Sequence, residues 1–312
     1  MSPIVIALAL AGPLPAAPDG LEIDPNGRPN EDCYAIQEKL EQRSIPIAER
    51  VKYFRHYDPV IRRMAAFSLL REGEKALPHV LKALQSDDVH VIRAGCDALA
   101  GPFGFEGRLR RELMGSMPPE VAAKAAGHLA KLLDHKDMYV REGALLALSN
   151  CGKAAAPYLD KTARLRDDPE WWVRSAVARV LENVGQPQVD RCVPGLADSL
   201  RKEQTVFARN RMRDAAVGIA RGGRSPGAIV KLLLEEATGD SEYHRDQALE
   251  GLGRIGPPAK DALPVVEKLI EQQQARLRKA NTNKEKGRIE GKLRNLERVR
   301  RQIAPEQKAS GS

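Results

Sequence analysis

Apolar positions fall at helical spacing along most of the chain, inside a unit that repeats. The unit reads an apolar residue, Arg, a small residue three past the Arg, an apolar or small residue seven past it, and Gly eleven past it. It appears as Ile61-Arg62, Ala65, Leu69, Gly73, and as Ile92-Arg93, Cys96, Ala100, Gly104. It returns as Val140-Arg141, Ala144, Leu148, Gly152, and as Val173-Arg174, Val177, Leu181, Gly185. A fifth copy is Met212-Arg213, Ala216, Ala220, with Gly222-Gly223 one place early, and a sixth is His244-Arg245, Ala248, Leu252, Gly256. The Arg-to-Arg steps are 31, 48, 33, 39 and 32.

This spacing has a physical meaning. The positions one before, three past and seven past the Arg share one helix face, about a turn apart. A small side chain at the middle position lets a neighbouring backbone approach. Gly at the last position suits a helix C-terminus, because Gly takes the left-handed conformation without steric penalty. Pro at 78, 157, 194, 226 and 257–258 marks where a second helix can begin. Second helices are expected over 76–85, 118–134, 154–166, 189–202, 227–237 and 260–280. No β-alternation of comparable length appears, so the chain is predicted to be all-α and built from helix pairs.

Units of roughly 32 residues that read D-x-x-V-R-x-x-A-x-x-A-L-x-x-x-G, then a turn and Pro, resemble HEAT-like repeats. Asp137-Met138-Tyr139-Val140-Arg141-Glu142-Gly143-Ala144-Leu145-Leu146-Ala147-Leu148 is the nearest copy; Asp58-Pro59-Val60-Ile61-Arg62 and residues 169–181 also match. The fifth copy departs, with Arg209 where the Asp should be. The resemblance covers roughly residues 45–275. It implies a right-handed α-solenoid of about six to seven helix pairs, an armadillo-type fold, with one helix row convex and one concave. In that family the Arg commonly bonds to an acidic residue of an adjacent unit. On that basis Arg62, Arg93, Arg141, Arg174, Arg213 and Arg245 are expected to form a structural ladder, not a binding site.

The array is expected to run over 31–280. A helix over 31–42, capped by Asn30, carries Ile36 and Leu40 on one face; a second starts at Ser44, with Pro46 in its first turn and Ile47, Val51 and Phe54 as apolar positions. The pair would close the N-terminal end. The step of 48 leaves an insertion before Pro119, with Arg108, Arg110 and Arg111, where a short helix over 106–115 would either fill a gap or form a binding edge. At the other end Asn281-Thr282-Asn283 breaks the helix, and Thr282 with Glu285 makes a capping box. The helix that follows, within an expected capping segment at 281–303, carries an apolar stripe of Ile289, Leu293, Leu296 and Ile303. Gly287, Gly291, Arg294, Arg298 and Arg301 form another stripe. A disordered tail is expected at 304–312.

Charge changes the picture at that tail. Of 50 basic and 42 acidic residues, eleven basic and three acidic lie in residues 275–303, so the rest of the chain is neutral. Arg294, Arg298 and Arg301 are therefore candidate anion-binding residues, although the segment reads equally as the solvated side of a structural helix. No run of about 18 apolar residues exists, so no ordinary membrane span is expected. The apolar run from Ile4 to Ala11, then a Gly- and Pro-rich stretch, resembles a signal peptide over 1–17, with a flexible lead-in at 18–30. Against that stand the absence of Lys or Arg before the run and its short length; the alternative is a disordered Pro-rich arm. The chain is accordingly expected to be exported or periplasmic, with the cytoplasm as the alternative.

Chemistry is sparse. Cys33, Cys96, Cys151 and Cys192 form no C-x-x-C, and buried free thiols are the favoured reading; an exported chain could form a disulfide, but the spacing names no pair. His128 and His135, near Asp134 and Asp137, are the nearest approach to a metal cluster and lack a third nitrogen or sulfur ligand. One of Trp171 and Trp172 is expected in the core and the other partly exposed. Hydrolase, nucleotide-loop and zincin motifs are absent. No catalytic residue, cofactor or metal is assigned. A non-catalytic protein-interaction scaffold using the solenoid surface is the first reading, with an unidentified protein partner and a monomeric chain. Polyanion or nucleic-acid binding through the basic helix is the alternative. Some HEAT-like proteins are lyases in bilin attachment or DNA glycosylases, so an enzyme stands third.

Overall fold

A computed structural model describes residues 31–42, 45–101, 119–184 and 188–305. The signal-peptide reading, the insertion helix over 106–115 and the tail beyond 305 lie outside the described residues. Among the described residues the chain is helical, with no strand. It divides into two compact units, one ending at Asn150 and one starting at Cys151.

The first unit contains α1 (Glu31–Glu41), α2 (Ile47–Lys52), α3 (Pro59–Leu69), α4 (Leu77–Ala83), α5 (Val89–Ala100), α6 (Pro119–Lys131) and α7 (Met138–Asn150). The first helices of successive pairs stack: α1 on α3, α3 on α5, α5 on α7. The second contains α8 (Leu159–Arg164), α9 (Trp171–Val184), α10 (Val193–Lys202), α11 (Val206–Arg221), α12 (Pro226–Thr238), α13 (Glu242–Ile255), α14 (Leu263–Lys279) and α15 (Asn283–Ile303). Here α9 stacks on α11, α11 on α13, and α13 on α15, while α14 packs along α15. The tail helix thus takes the place a further first helix would occupy.

The repeating small position explains the close stacking. Ala65, Cys96, Ala144, Ala216 and Ala248 are completely buried, and Val177 nearly so. In α7 a Cβ added at Gly143 would stand 3.0 Å from the Cys96 Cβ, so α5 and α7 meet almost backbone to backbone. The helix-ending glycines behave as the spacing requires: Gly73, Gly152, Gly223 and Gly256 all have positive φ, between 52° and 78°. The second copy differs, because α5 stops at Gly101 with φ 79°; Gly104 lies outside the described residues.

Most second helices start later than their apolar patterns suggest, while α12 starts one residue early, at Pro226. The stretch expected from 154 opens as a 3-10 turn, Gly152–Tyr158, and becomes α-helix only at Leu159. Pro157 is the cause: it has no N–H and cannot continue an α ladder. Pro78, Pro194 and Pro264 lie in the first turns of α4, α10 and α14, where a missing N–H costs nothing. Similarly α2 begins after Pro46, which occupies the cap position instead of the first turn, and Ser44 lies outside the described residues. Sequence reasoning missed Arg50 of α2, which is buried and donates to the Ser68 carbonyl (2.8 Å) and to Glu72 (2.7 Å).

Candidate interaction surfaces

Each first helix is preceded by the same short turn, and the repeat arginines belong to it. Asp58, Asp88, Asp137, Glu170, Thr205 and Ser241 directly precede the helices α3, α5, α7, α9, α11 and α13. The residue two places earlier accepts from the cap residue's N–H in five of these turns: His56 Nδ1, Ser86 Oγ, His135 Nδ1, Asp168 Oδ1 and Glu203 Oε1. The Arg in the helix's fourth position then reaches back to main-chain carbonyls of the same turn. Arg62 bonds His56 O and Tyr57 O at 2.6 and 2.8 Å, and Arg141 bonds His135 O and Lys136 O at 2.9 and 3.0 Å. Arg174 bonds Asp168 O and Pro169 O at 2.8 and 2.9 Å, and Arg245 bonds Gly239 O at 2.7 Å.

This geometry changes the expected ladder in three respects. The described bonds of Arg62 and Arg245 go to backbone, not to acids, and Arg141 holds two carbonyls in the same way. In the fifth copy the turn is clamped by Arg209, which donates to Glu203 O at 3.3 Å, and not by Arg213. The copy has slipped one helical turn: Arg213 is buried and pairs with Glu236 of α12 at 2.7 Å. In the second copy Ile92 fills the fourth position, and Arg93 lies over the Tyr139 ring, 4.4 Å from its centroid. Arg174 does reach an acid of the following pair, holding Glu203 through two bonds of 2.7 and 2.9 Å. Burial pushes the Glu203 carboxyl up, but the hydrogen bonds from Arg174 and the Thr205 N–H outweigh it and hold the group below the ordinary range.

The anion-binding trio is not equivalent. Arg294 and Arg301 are exposed, whereas Arg298 is engaged by Glu250 of α13 and by Asn295. Arg288 and Lys292 of the same helix meet Glu242. Part of the basic charge therefore fastens α15 to α13. The Thr282 hydroxyl accepts from the Glu285 N–H at 3.2 Å, which starts the helix as its sequence predicts. Cys33, Cys96 and Cys151 are buried free thiols, and Cys192 is half-buried. His135 Nδ1 accepts the Asp137 N–H, and among the described residues no three His, Cys, Asp or Glu stand close enough to hold a metal.

Two features escaped the sequence reading. In the first unit, Asp97 of α5 and Glu142 of α7 sit deep among protein atoms near Arg63 and Arg93, with part of each side chain still reaching solvent. Burial pushes the Glu142 carboxyl up to about 7, against the pull of Arg93. The second feature is a column two places before the clamping Arg: Val60 and Tyr139 in one unit, Trp172, Phe207 and Tyr243 in the other. Phe207 is 73% exposed, and Val60 and Tyr243 46% each. Neither Trp171 nor Trp172 enters the core; the two rings stack at 3.8 Å, and Trp171 lies 6.0 Å from the Phe207 ring. Tyr243 accepts from Asn210 at 2.7 Å through its hydroxyl. The signal was present at a fixed offset from the Arg, but only the clamp defines that register.

Comparison with known proteins places the fold in a class. No family model matches the chain. The karyopherin Kap121p bound to Nup53p superposes on 85% of this chain with a TM-score of 0.55 at 16% identity. The chain spans 30% of that karyopherin. An archaeal HEAT-like repeats protein from Thermococcus onnurineus NA1 covers 82% of this chain and 98% of its own, with 13% identity and a TM-score of 0.47. In sequence, deoxyhypusine hydroxylase of Mus musculus is 27% identical over 252 residues, covering 73% of this chain and 82% of the mouse protein. In fold the chain is an all-α solenoid of stacked helix pairs, similar to the karyopherin over 85% of this chain.

Proposed function

We propose that the chain is a non-catalytic protein-interaction scaffold, and that its partner docks on the aromatic edge of the second unit. The observation that carries the reading is the exposure of Phe207 beside the stacked Trp171 and Trp172. Aromatic side chains gathered on a surface bury large areas at little entropic cost and dominate protein–protein contacts. The karyopherin likeness fits, since that karyopherin is seen bound to Nup53p. The test is co-purification from the native cell of the tagged chain and of its Trp172→Ser/Phe207→Ser variant at matched abundance. A partner recovered with the first and lost with the second is expected. The same proteins recovered with both would overturn the reading. The signal-peptide pattern supports a location outside the cytoplasm, and a mature N-terminus near Ala17 or Pro18 in the native cell is the expected result.

The hydroxylase similarity favours a second reading, an enzyme on the same frame. Among the described residues no three His, Cys, Asp or Glu stand close enough to hold a metal, and no catalytic residue is assigned for this reading. A stoichiometric transition metal in the chain purified from its own cell would support that reading.

A further inference from the structure

We propose that the cleft between α8 and α10 is a second docking site, for an acidic segment of a partner protein that carries an apolar anchor residue. The cleft encloses about 260 Å³ and lies apart from the aromatic column in its lining residues. Its floor is apolar and comes from three helices: Val177 and Leu181 of α9, Leu196 of α10 and Met212 of α11, all buried. Its walls carry Arg164, Arg166, Arg174 and Arg191 against a single acid, Asp160.

The charge of these arginines is unevenly spent. Arg174 is neutralised by Glu203. Arg166 has a long, exposed contact of 3.4 Å with its neighbour Asp167. Arg164 and Arg191 have no ion-pair partner among the described residues. A second cleft of the same unit, about 360 Å³, shows the contrast: there Arg201 pairs with Glu235 and Arg209 with Glu236, both at 2.9 Å. One cleft balances its own charge, and the other leaves cationic groups unmatched around an apolar floor.

Gly195 gives independent support. It lies in the first turn of α10, and a Cβ there would stand 2.6 Å from Arg166 Nη1. The absent side chain lets the guanidinium lie across the helix at the cleft wall, instead of swinging out to solvent. The lining contains no aromatic ring on which a base could stack, which argues against single-stranded nucleic acid. A free phosphate would leave the apolar floor unused. Carboxylates beside a Leu-like side chain satisfy both parts of the site, the carboxylates as bidentate acceptors for Arg and the side chain as filler of the floor.

The test uses the full chain and a fluorescein-labelled peptide in which Leu alternates with Asp-Glu pairs, read by fluorescence anisotropy. Saturable binding is expected, weakening by about tenfold or more in Arg164→Glu/Arg191→Glu, since two charge-assisted contacts are lost. Both residues are exposed, so the variant is expected to keep the wild-type circular dichroism. Changing Leu to Ser in the peptide is expected to weaken binding as well, and Phe207→Ser to leave it intact. As a measurement independent of any variant, the peptide is expected to slow alkylation of Cys192, which lines the cleft, by iodoacetamide. Absence of saturable binding at low salt, equal binding by the double Arg variant, or unchanged Cys192 alkylation at saturating peptide would overturn the proposal. Equal competition by tripolyphosphate and peptide would do so too, by making the site a simple anion hole. None of these outcomes depends on the aromatic edge, whose own test reads Trp172 and Phe207.

Discussion

Replacing Arg174 by Ala removes four hydrogen bonds at once. Two go to the carbonyls of Asp168 and Pro169, at 2.8 and 2.9 Å, and two to the Glu203 carboxylate, at 2.7 and 2.9 Å. The carboxylate decides the magnitude. The Glu203 side chain is 2% exposed, so water cannot replace the guanidinium, and only Thr205, with its N–H at 2.8 Å and its side chain, remains as a described partner. Breaking a buried pair from one side typically costs about 3–5 kcal/mol, against about 1 kcal/mol or less for an exposed pair. Urea unfolding of the full chain and of Arg174→Ala at pH 7 measures the difference. The pH dependence supplies a second signature. In the native chain the Glu203 carboxyl lies below its unfolded value, so its contribution is present above that value and lost as the pH falls through the native one. In Arg174→Ala burial acts unopposed by the guanidinium, and the acid-side loss is expected to shrink or reverse. Adding Glu203→Gln to Arg174→Ala should recover part of the stability, because a neutral amide tolerates burial better than a lone carboxylate. A loss of 1 kcal/mol or less for Arg174→Ala, on the order of a surface pair, would refute the reasoning.

Other perturbations test other parts of the structure. Gly287 of α15 has open space where a Cβ would stand, so Gly287→Ala should stabilise by about 1 kcal/mol, read as a higher urea midpoint. Glu142 keeps its proton to about pH 7 when folded and to about 4.5 when unfolded, so the native state binds more protons between those values and stability through this group falls as pH rises. Glu142→Gln should flatten that slope between pH 5 and 8 in denaturant titrations. Heparin binding through α15 should be lost on changing Arg294 and Arg301 to Glu and scarcely affected by Glu250→Gln; no mobility shift at low salt would end the polyanion alternative. Ala144→Leu, at a completely buried contact position, should cost about 1–3 kcal/mol by overpacking, measured in the same titration.

What the sequence disclosed follows from what is local. Gly73, Gly152 and Gly256 end helices because of their own backbone conformation, and Thr282 caps α15 with a group three residues away. Such features can be read from spacing alone. The start of α8 was misplaced because helical periodicity cannot distinguish a 3-10 turn from an α-turn, although Pro157 carried the warning. Alignment on apolar positions makes Arg213 the fifth repeat Arg, whereas the turn before α11 is clamped by Arg209. The Arg-lined cleft was invisible for a different reason. Arg191 comes from a different segment than Arg164 and Arg166, and their excess charge appears only where the fold gathers them and withholds acids.

The turn clamp has a consequence for variation. Its guanidinium grips main-chain oxygens, which every amino acid possesses. The residue directly before the cap can therefore vary, as Tyr57, Lys136 and Pro169 already illustrate, whereas the one before it, His56, His135 or Asp168, also holds the cap N–H through its side chain. An edge built in this way can exchange its outward residues without retuning the frame beneath. Substitution there changes what the protein presents to others, while the helices keep their stacking, so this edge is the natural place to graft a new recognition sequence.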